Sequence, residues 1–375
     1  MRLRPTLLAL LLGASLAASW PLLRAGDSAA QEATAYAEQN PFTLREVGRF
    51  SEPWAIAFLP GTRPGTSSAL VTERGGKLKL WQEGGTSRDV SGVPVVVHAG
   101  QGGLGDVTLA PDFATSGMIY LTWAEAGPDG TAGAALGRAR LVQGETPRLD
   151  GLEVIWRQTP KTTGRGHYGH RLAFSPDGRH LFLSSGDRQK LTPAQDVASA
   201  LGKVIRMAPD GSGAAVWSLG HRNPLGLRFD PQGRLWDLEH GPGGGDELNL
   251  VEPGKNYGWP LVSEGDHYDG RPIPRPATRP EFAQAAVFWN PVIAPGDFIF
   301  CKCDAFPEWR GQVLIAALGA QGLVQVAITG SGAREVARYN LETRIRTIAE
   351  RADGALFVLA DKDDGRLLRL IPAKR

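Results

Sequence analysis

Cysteine is nearly absent from these 375 residues: there are two, Cys301 and Cys303, one residue apart in "FCKCD". Two cysteines cannot build the multi-bridge framework that staples small secreted domains. Nor can they hold a structural zinc, which takes about four ligands, because no further Cys or His cluster stands beside them. A bridge between them is possible in an oxidising compartment but strained, since it needs Cβ atoms about 4 Å apart; a structural or incidental role is expected. An excess of one charge is also missing, with 41 Lys and Arg against 39 Asp and Glu. No nucleic-acid partner is therefore expected, because phosphate binding draws on clustered positive charge. Charged residues make up only 21% and hydrophobic ones 42%, which excludes whole-chain disorder and allows a sizeable core.

Long apolar runs are missing everywhere except at the start. "MRLRPTLLALLLGASLAAS" has two arginines, an apolar run and then small residues, the three-part pattern of a secretory leader. Its apolar run is too short to span a bilayer comfortably, so no stable membrane span is expected. Cleavage could follow Ala17 or Ala30. Taking 1–30 as the leader leaves 31–375 as one domain in a periplasmic or secreted protein, and removes Arg2, Arg4, Arg24 and Asp27, bringing the net charge from +2 to zero. The Pro-rich stretches at 62–68 and 271–280 are short enough to be surface loops.

What is plentiful is glycine, 48 residues, and proline, 27, a composition of many tight turns. A pattern recurs: alternating apolar residues, a Pro/Asp/Gly turn, then a second apolar strand. It reads "WAIAFLPGT" with "SALVTERGGKLKLW", then "GDVTLAPDFATSGMIYLTWA", "HRLAFSPDGRHLFLSSGD", "LGLRFDPQGRLWDLEHG" and "IRTIAERADGALFVLAD", with a diverged copy in "PEWRGQVLIAALGAQGLVQVAI". Period-2 alternation and the Asp177–Gly178 turn make these hairpins. Phe58, Leu109, Phe174 and Phe229 fall roughly fifty to sixty-five residues apart, which gives about six units. Six four-stranded antiparallel units closing radially predict an all-β, six-bladed β-propeller; the competing arrangements are an open β-sandwich array and two stacked all-β domains.

Polar clusters flank these hairpins. His167 lies between Gly166 and Gly169, and an imidazole there can serve as a general base near neutral pH, with Asp187 beyond the same hairpin raising its basicity. A histidine in a glycine-rich loop can equally be a surface hydrogen-bonding residue. Arg222 and Asn223 precede a proline that forces extended backbone, so both side chains can project from a strand end. Arg344 and Arg346 alternate in "TRIRT" and share a strand face, as an anion site or as a solvated edge. "EHGPGGGDE" lacks the Lys-Ser/Thr ending of a phosphate loop. It is rich in hard oxygen donors: Glu239, Asp246, Glu247 and the carbonyls of Gly241 and Pro242. Together with Tyr257, Asp266 and Asp269 these suggest calcium.

"GHRNPLGL", "EHGPGGGDELNL" and "GKNYGWP", in this order and spacing, resemble the soluble quinoprotein glucose/sorbosone dehydrogenase family, in particular its aldose sugar dehydrogenase branch. The resemblance runs from "PWAIAFLP" to "DGALFVLAD". It implies a six-bladed propeller carrying pyrroloquinoline quinone (PQQ) and calcium near its axis. The implied reaction oxidises an aldose at C1 to a lactone by hydride transfer to the quinone and passes the electrons to an acceptor. By position, His167 would be the base and Asp187 its orienting carboxylate; Gln101 and Arg222 would contact the reacting quinone oxygen, and Asn223 would hold the cofactor. Gly241 and Pro242 would offer carbonyls to the catalytic calcium, Glu247 and Tyr257 would serve a further calcium, and Arg344 and Arg346 would pair with cofactor carboxylates. Two positions depart from the family pattern: Gly319 stands where a cofactor-contacting lysine is common, and Gly166 where the glucose dehydrogenases have Asp. The long dimerising insertions are missing, so a monomer with broad aldose specificity is expected. The competing readings are a metal-dependent lactonase of the same architecture and a propeller that has lost its cofactor.

Overall fold

The computed structural model describes residues 30–31, 39–61, 67–85 and 87–373. The expected leader, apart from Ala30, lies outside the described residues, as does most of the Pro-rich stretch at 62–68. The described chain is six antiparallel sheets arranged as a ring, a six-bladed β-propeller. In blades 1 to 5 the first strand lies at the axis and the fourth at the rim. The innermost strands are Pro53–Phe58, Leu104–Leu109, Gly169–Phe174, Pro224–Phe229 and Pro295–Phe300. Blade 6 is built from both ends of the chain: Ile345–Glu350 is innermost, Leu356–Ala360 and Gly365–Pro372 follow, and Phe42–Phe50 pairs outside them. That pairing closes the ring, so the first and last blades have no open seam. A two-residue parallel strand, Ala30–Gln31, adds to the rim of blade 4 beside Val287–Trp289. Among the described residues no helix is long and apolar enough to cross a membrane.

The four marker residues all fall at ends of innermost strands: Phe58, Leu109, Phe174 and Phe229. Of the turn at Asp177–Gly178, only Gly178 takes a positive φ. One repeat is misplaced by the sequence pattern. "PEWRGQVLIAALGAQGLVQVAI" supplies the second and third strands of blade 5, Val313–Ala317 and Gly322–Thr329, and not its inner hairpin. The innermost strand is "PGDFIF", and it is followed by a loop through 301–312 in place of a tight turn. That loop contains the Cys301–Cys303 disulfide.

Blades face one another across six apolar seams, which is why the second strands are buried on both faces. Leu172, Leu181 and Leu183 of blade 3 pack on Tyr120 and Leu136 of blade 2, and Phe182 on the other face packs against Leu227 and Leu235 of blade 4. Each such side chain contributes roughly 1.5–3 kcal/mol by leaving water.

Every innermost strand starts with a β-bulge against its neighbour, at 53–55, 104–107, 169–172, 224–226, 295–297 and 345–347. A bulge re-aims side chains and leaves an unpaired amide. In three blades a hydroxyl on the second strand satisfies it: Thr72 Oγ1 accepts from Ala55 N at 3.0 Å, Thr122 Oγ1 from Asp106 N at 2.8 Å and Ser184 Oγ from Arg171 N at 3.0 Å. The same hydroxyls donate to bulge carbonyls of the next blade, Gly105, His170 and Pro224, at 2.7, 2.9 and 3.0 Å. One oxygen thus fixes its own bulge and stitches it to its neighbour.

The axis is polar. Arg171 lies 3.3 Å from Asp106 and 3.4 Å from Asp297, donates to Leu225 O at 2.6 Å, and stacks 4.0 Å over Trp54. Arg228 and Thr347 also bond Asp297, at 2.9 and 2.6 Å. All six innermost strands contribute to this polar plug, through Trp54, Asp106, Arg171, Arg228, Asp297 and Thr347.

Candidate active site

Antiparallel pairing brings the start of each innermost strand and the end of each second strand to the same end of the ring. Most of the predicted residues fall at these two positions; Glu247, in the third strand of blade 4, and Tyr257, in the loop after it, do not. Gln101, His167, Arg222, Asn223, Arg344 and Arg346 lie at or before the start of an innermost strand; Asp187, Gly241 and Pro242 lie just beyond a second one. Apart from His167 and Asp187, they line two adjoining hollows that share His240.

The first is a cavity of about 180 Å³ lined by Gln101, Asn223, Arg344 and Arg346, and also by Trp54, Arg74, Tyr168, His170, Leu225 and Leu318. Arg344 and Arg346 do share a face, as their alternation predicts, but both bind one carboxylate: Asp361 Oδ2 accepts from Arg344 Nε at 3.0 Å and Oδ1 from Arg346 NH2 at 2.8 Å. Two guanidiniums on one aspartate leave the wall cationic. At Gly319, where a lysine was the family expectation, a Cβ would meet Ile293 O at 2.9 Å, and the neighbouring Leu318 lines the cavity. Arg74 also lines the cavity, held by Glu52 Oε1 at 2.9 Å and by the carbonyls of Gly100 and Gly102.

His167 and Asp187 do not line either hollow; they pair next to the cavity-lining Gln101 and Tyr168, Nδ1 to Oδ1 at 2.7 Å. Asp187 is completely buried, and its other oxygen accepts from the Trp259 indole at 2.7 Å. His167 has φ of 50°, a left-handed conformation that a non-glycine residue holds only when its surroundings impose it. Gln101 Oε1 imposes it by accepting from His167 N at 2.7 Å. Burial, with repulsion from Arg222, holds the imidazole below its ordinary pKa of 6.5 despite the opposing pull of Asp187. Burial alone would raise the Asp187 carboxyl; the bonds from His167 and Trp259 bring it below the ordinary value of 3.8. The pair is therefore neutral imidazole and carboxylate. Nδ1 carries the proton toward Asp187, and Nε2 is left as a free base.

The "GHRNP" and "EHG" segments close on each other as the two ends of one hairpin. Glu239 Oε2 accepts from the backbone amides of Arg222 and Asn223 at 2.7 and 3.2 Å, and Arg222 NH1 donates to His240 O at 3.1 Å. Arg222 NH2 reaches Tyr268 Oη at 3.1 Å, while its buried Nε has no partner. Asn223 Oδ1 accepts from Gly169 N at 3.3 Å, tying blade 4 to the loop that carries His167.

The second hollow is lined by Arg222, Glu239, Gly241, Pro242, Glu247, Tyr257 and Trp259. Gly241 has no alternative there, because a Cβ would meet Gly244 O at 2.1 Å. The Glu247 carboxyl is pushed well above 4.5 by burial and by the neighbouring Glu239 and Glu264. Tyr257 spends its hydroxyl on Leu250 O, so only its carbonyl remains for a ligand. Asp266 and Asp269 do not join them: they pair with Arg275 and Arg271 outside the hollow. Asp246 fixes the loop, accepting from Gly241 N at 2.9 Å and Ala294 N at 2.7 Å.

Beneath it lies a cluster absent from the sequence expectation. His221, Asp237 and Glu239 bring ligand-type atoms within 4.8 Å of one another. The two carboxylates hold the buried His221 up at about 9 although burial alone would lower it. Trp54, Arg74, Tyr168, His240, Trp259 and Asp361 are further site residues that the sequence did not single out, and His170, which reads there as a surface or hydrogen-bonding histidine, is buried on the cavity wall. Arg74 and Asp361 follow second strands as Asp187 does, and that rule would have found them.

A propeller with a His–Asp pair and an arginine-lined cavity at one end of its channel defines a propeller enzyme whose chemistry sits at the blade tips. The family model for glucose/sorbosone dehydrogenase matches residues 50–369, and the chain belongs to that family of oxidoreductases. It is 38% identical over 345 residues to aldose sugar dehydrogenase YliI of Escherichia coli (strain K12), covering 86% of this chain and 91% of that protein. The crystal structure of the soluble E. coli aldose sugar dehydrogenase in its apo-form superposes with a TM-score of 0.82 at 36% identity, over 88% of this chain and all of that one. The PQQ-bound aldose sugar dehydrogenase from Streptomyces coelicolor gives 0.72 at 27% identity, over 90% and 99%.

Proposed function

We propose that this protein is an exported, PQQ- and calcium-dependent aldose sugar dehydrogenase that oxidises its substrate at C1 to the lactone. The observation that carries the reading is the neutral His167 beside ionised Asp187, bonded through its amide to Gln101, which lines a cavity walled by Arg74, Arg344 and Arg346. A planar tricarboxylate such as PQQ suits that wall: the arginines would hold its carboxylates, and Asn223 and Gln101 its remaining polar edge. The unpartnered Nε of Arg222 and the crowded carboxyl of Glu247 both favour occupied hollows. Carbonyls of Gly241 and Pro242 would hold calcium, and Glu247 with the Tyr257 carbonyl would serve a further ion. When bound, PQQ supplies a hydride acceptor and calcium a Lewis acid that polarises it.

The chain's own contribution is proton transfer and orientation. Nε2 of His167 takes the C1 hydroxyl proton, and Asp187, fixed by Trp259, stabilises the imidazolium that forms. Arg222 places positive charge where negative charge develops, already oriented by His240 O and Tyr268. Export follows from the leader-like start of the chain, and the electrons pass to an acceptor not yet identified. A monomer fits the lack of dimerising insertions.

The test is reconstitution of purified protein with PQQ and calcium, followed by dye reduction across a panel of aldoses. Sugar-dependent reduction requiring both additions is expected. No bound PQQ and no reduction with any sugar would end this reading.

A further inference from the structure

His170 occupies a place that costs the fold three times over. Its φ is 84°, the left-handed region that favours glycine, at the bulge that opens the innermost strand of blade 3. It is 2% exposed. Both ring nitrogens are buried without a hydrogen-bond partner among the described residues. Buried polar atoms of this kind are uncommon in folded proteins, and one left over at a cavity wall calls for a ligand.

The ring is nevertheless held firmly. Tyr168 stacks on it at 5.4 Å, nearly parallel, and Trp54 meets it edge-on at 6.0 Å. Gly105 leaves the room it needs, since a Cβ there would lie 2.7 Å from His170 Cγ. The imidazole lines the same cavity as Arg74, Asn223, Arg344 and Arg346. Burial and the charges of Arg188, Arg171 and Arg74 push it down to about 3, so it is neutral and keeps one N–H and one lone pair.

We infer that His170 is a cofactor-binding residue, a rigid neutral donor on the cavity wall that hydrogen-bonds an oxygen of the anionic group bound there. This rests on the PQQ reading above and adds a contact to it. Three arginines provide charge but little direction in the plane of the ligand; an imidazole clamped between two aromatics provides direction without more charge.

The experiment is PQQ titration of the metal-loaded apoprotein, followed by absorbance, for wild type, His170→Gly and His170→Asn, with thermal unfolding of each apo form. His170→Gly suits the backbone and removes the donor; PQQ affinity should fall at least tenfold while the apo melting temperature holds or rises. His170→Asn tolerates positive φ and keeps a donor, and should recover part of the affinity. Wild-type affinity in a folded His170→Gly protein overturns the inference and leaves the PQQ reading intact. If His170→Gly fails to fold, full loss of affinity in folded His170→Asn also overturns it, because a retained donor should retain binding. No PQQ binding by wild type removes both together.

Discussion

His167 Nδ1 lies 2.7 Å from Asp187 Oδ1, and this contact directs the free Nε2 of the imidazole away from the protein's own hydrogen bonds. His167→Gln should lower kcat by roughly 10²–10⁴, the usual range for a lost general base. PQQ affinity, read by titration, should stay within about twofold, since the arginines hold the carboxylates. Loss of cofactor would instead make His167 a binding residue.

The pH profile follows from the direction of the His167 shift. A base must be unprotonated, and this one is held below 6.5 by burial and Arg222. The acid limb of kcat/KM should therefore fall below 6.5, with a plateau through neutrality. Asp187→Asn removes the carboxylate that pulls that pKa upward, so the limb should move further down while kcat drops by up to roughly 10⁴. A limb that moves up contradicts the assigned polarity.

Arg346 and Arg344 share Asp361, and the cavity gains its net charge from that imbalance. Arg346→Ala should weaken PQQ binding by about 10–100-fold, the worth of a charge-assisted hydrogen bond. Equilibrium titration of the folded variant checks this. Asp361→Asn leaves both cations but loosens their orientation, and should cost less.

Glu247 is crowded by Glu239 and Glu264, and its own side-chain partner is Asn249. Glu247→Gln should raise the stability of calcium-free protein by roughly 1 kcal/mol, because it removes the repulsion of the neighbouring carboxylates while keeping a side chain that Asn249 can bond. It should also shrink the rise in melting temperature that calcium gives wild type. Calorimetry with and without a chelator reads both effects. An unchanged calcium response would place the ion elsewhere.

Much of this was legible because the blades repeat. Phe58, Leu109, Phe174 and Phe229 mark innermost strands through local alternation and turns, and the polar clusters beside them mark the site. Blade 5 was misread because the loop after Phe300 replaces the Pro/Asp/Gly turn, so the eye settles on the next apolar pair, at Val313 and Gly322. Closure of the ring by Phe42–Phe50 against Gly365–Pro372 depends on partners more than 300 residues apart, which local pattern cannot show. Within the site, His167, Asp187 and Arg222 carry their chemistry in residue type and setting. Trp259 and Glu239 act through side chains that reach a different segment, Asp187 and the Arg222 amide, and only folding reveals those contacts.

The central claim is that a sugar reduces a quinone held beside His167. Anaerobic mixing of PQQ- and calcium-loaded protein with one aldose, followed by the visible spectrum of the quinone, tests it without any acceptor. Bleaching within a single turnover, slowed several-fold when C1 carries deuterium and nearly abolished in His167→Gln, is the predicted result. A quinone spectrum unchanged by every aldose tried would contradict the account.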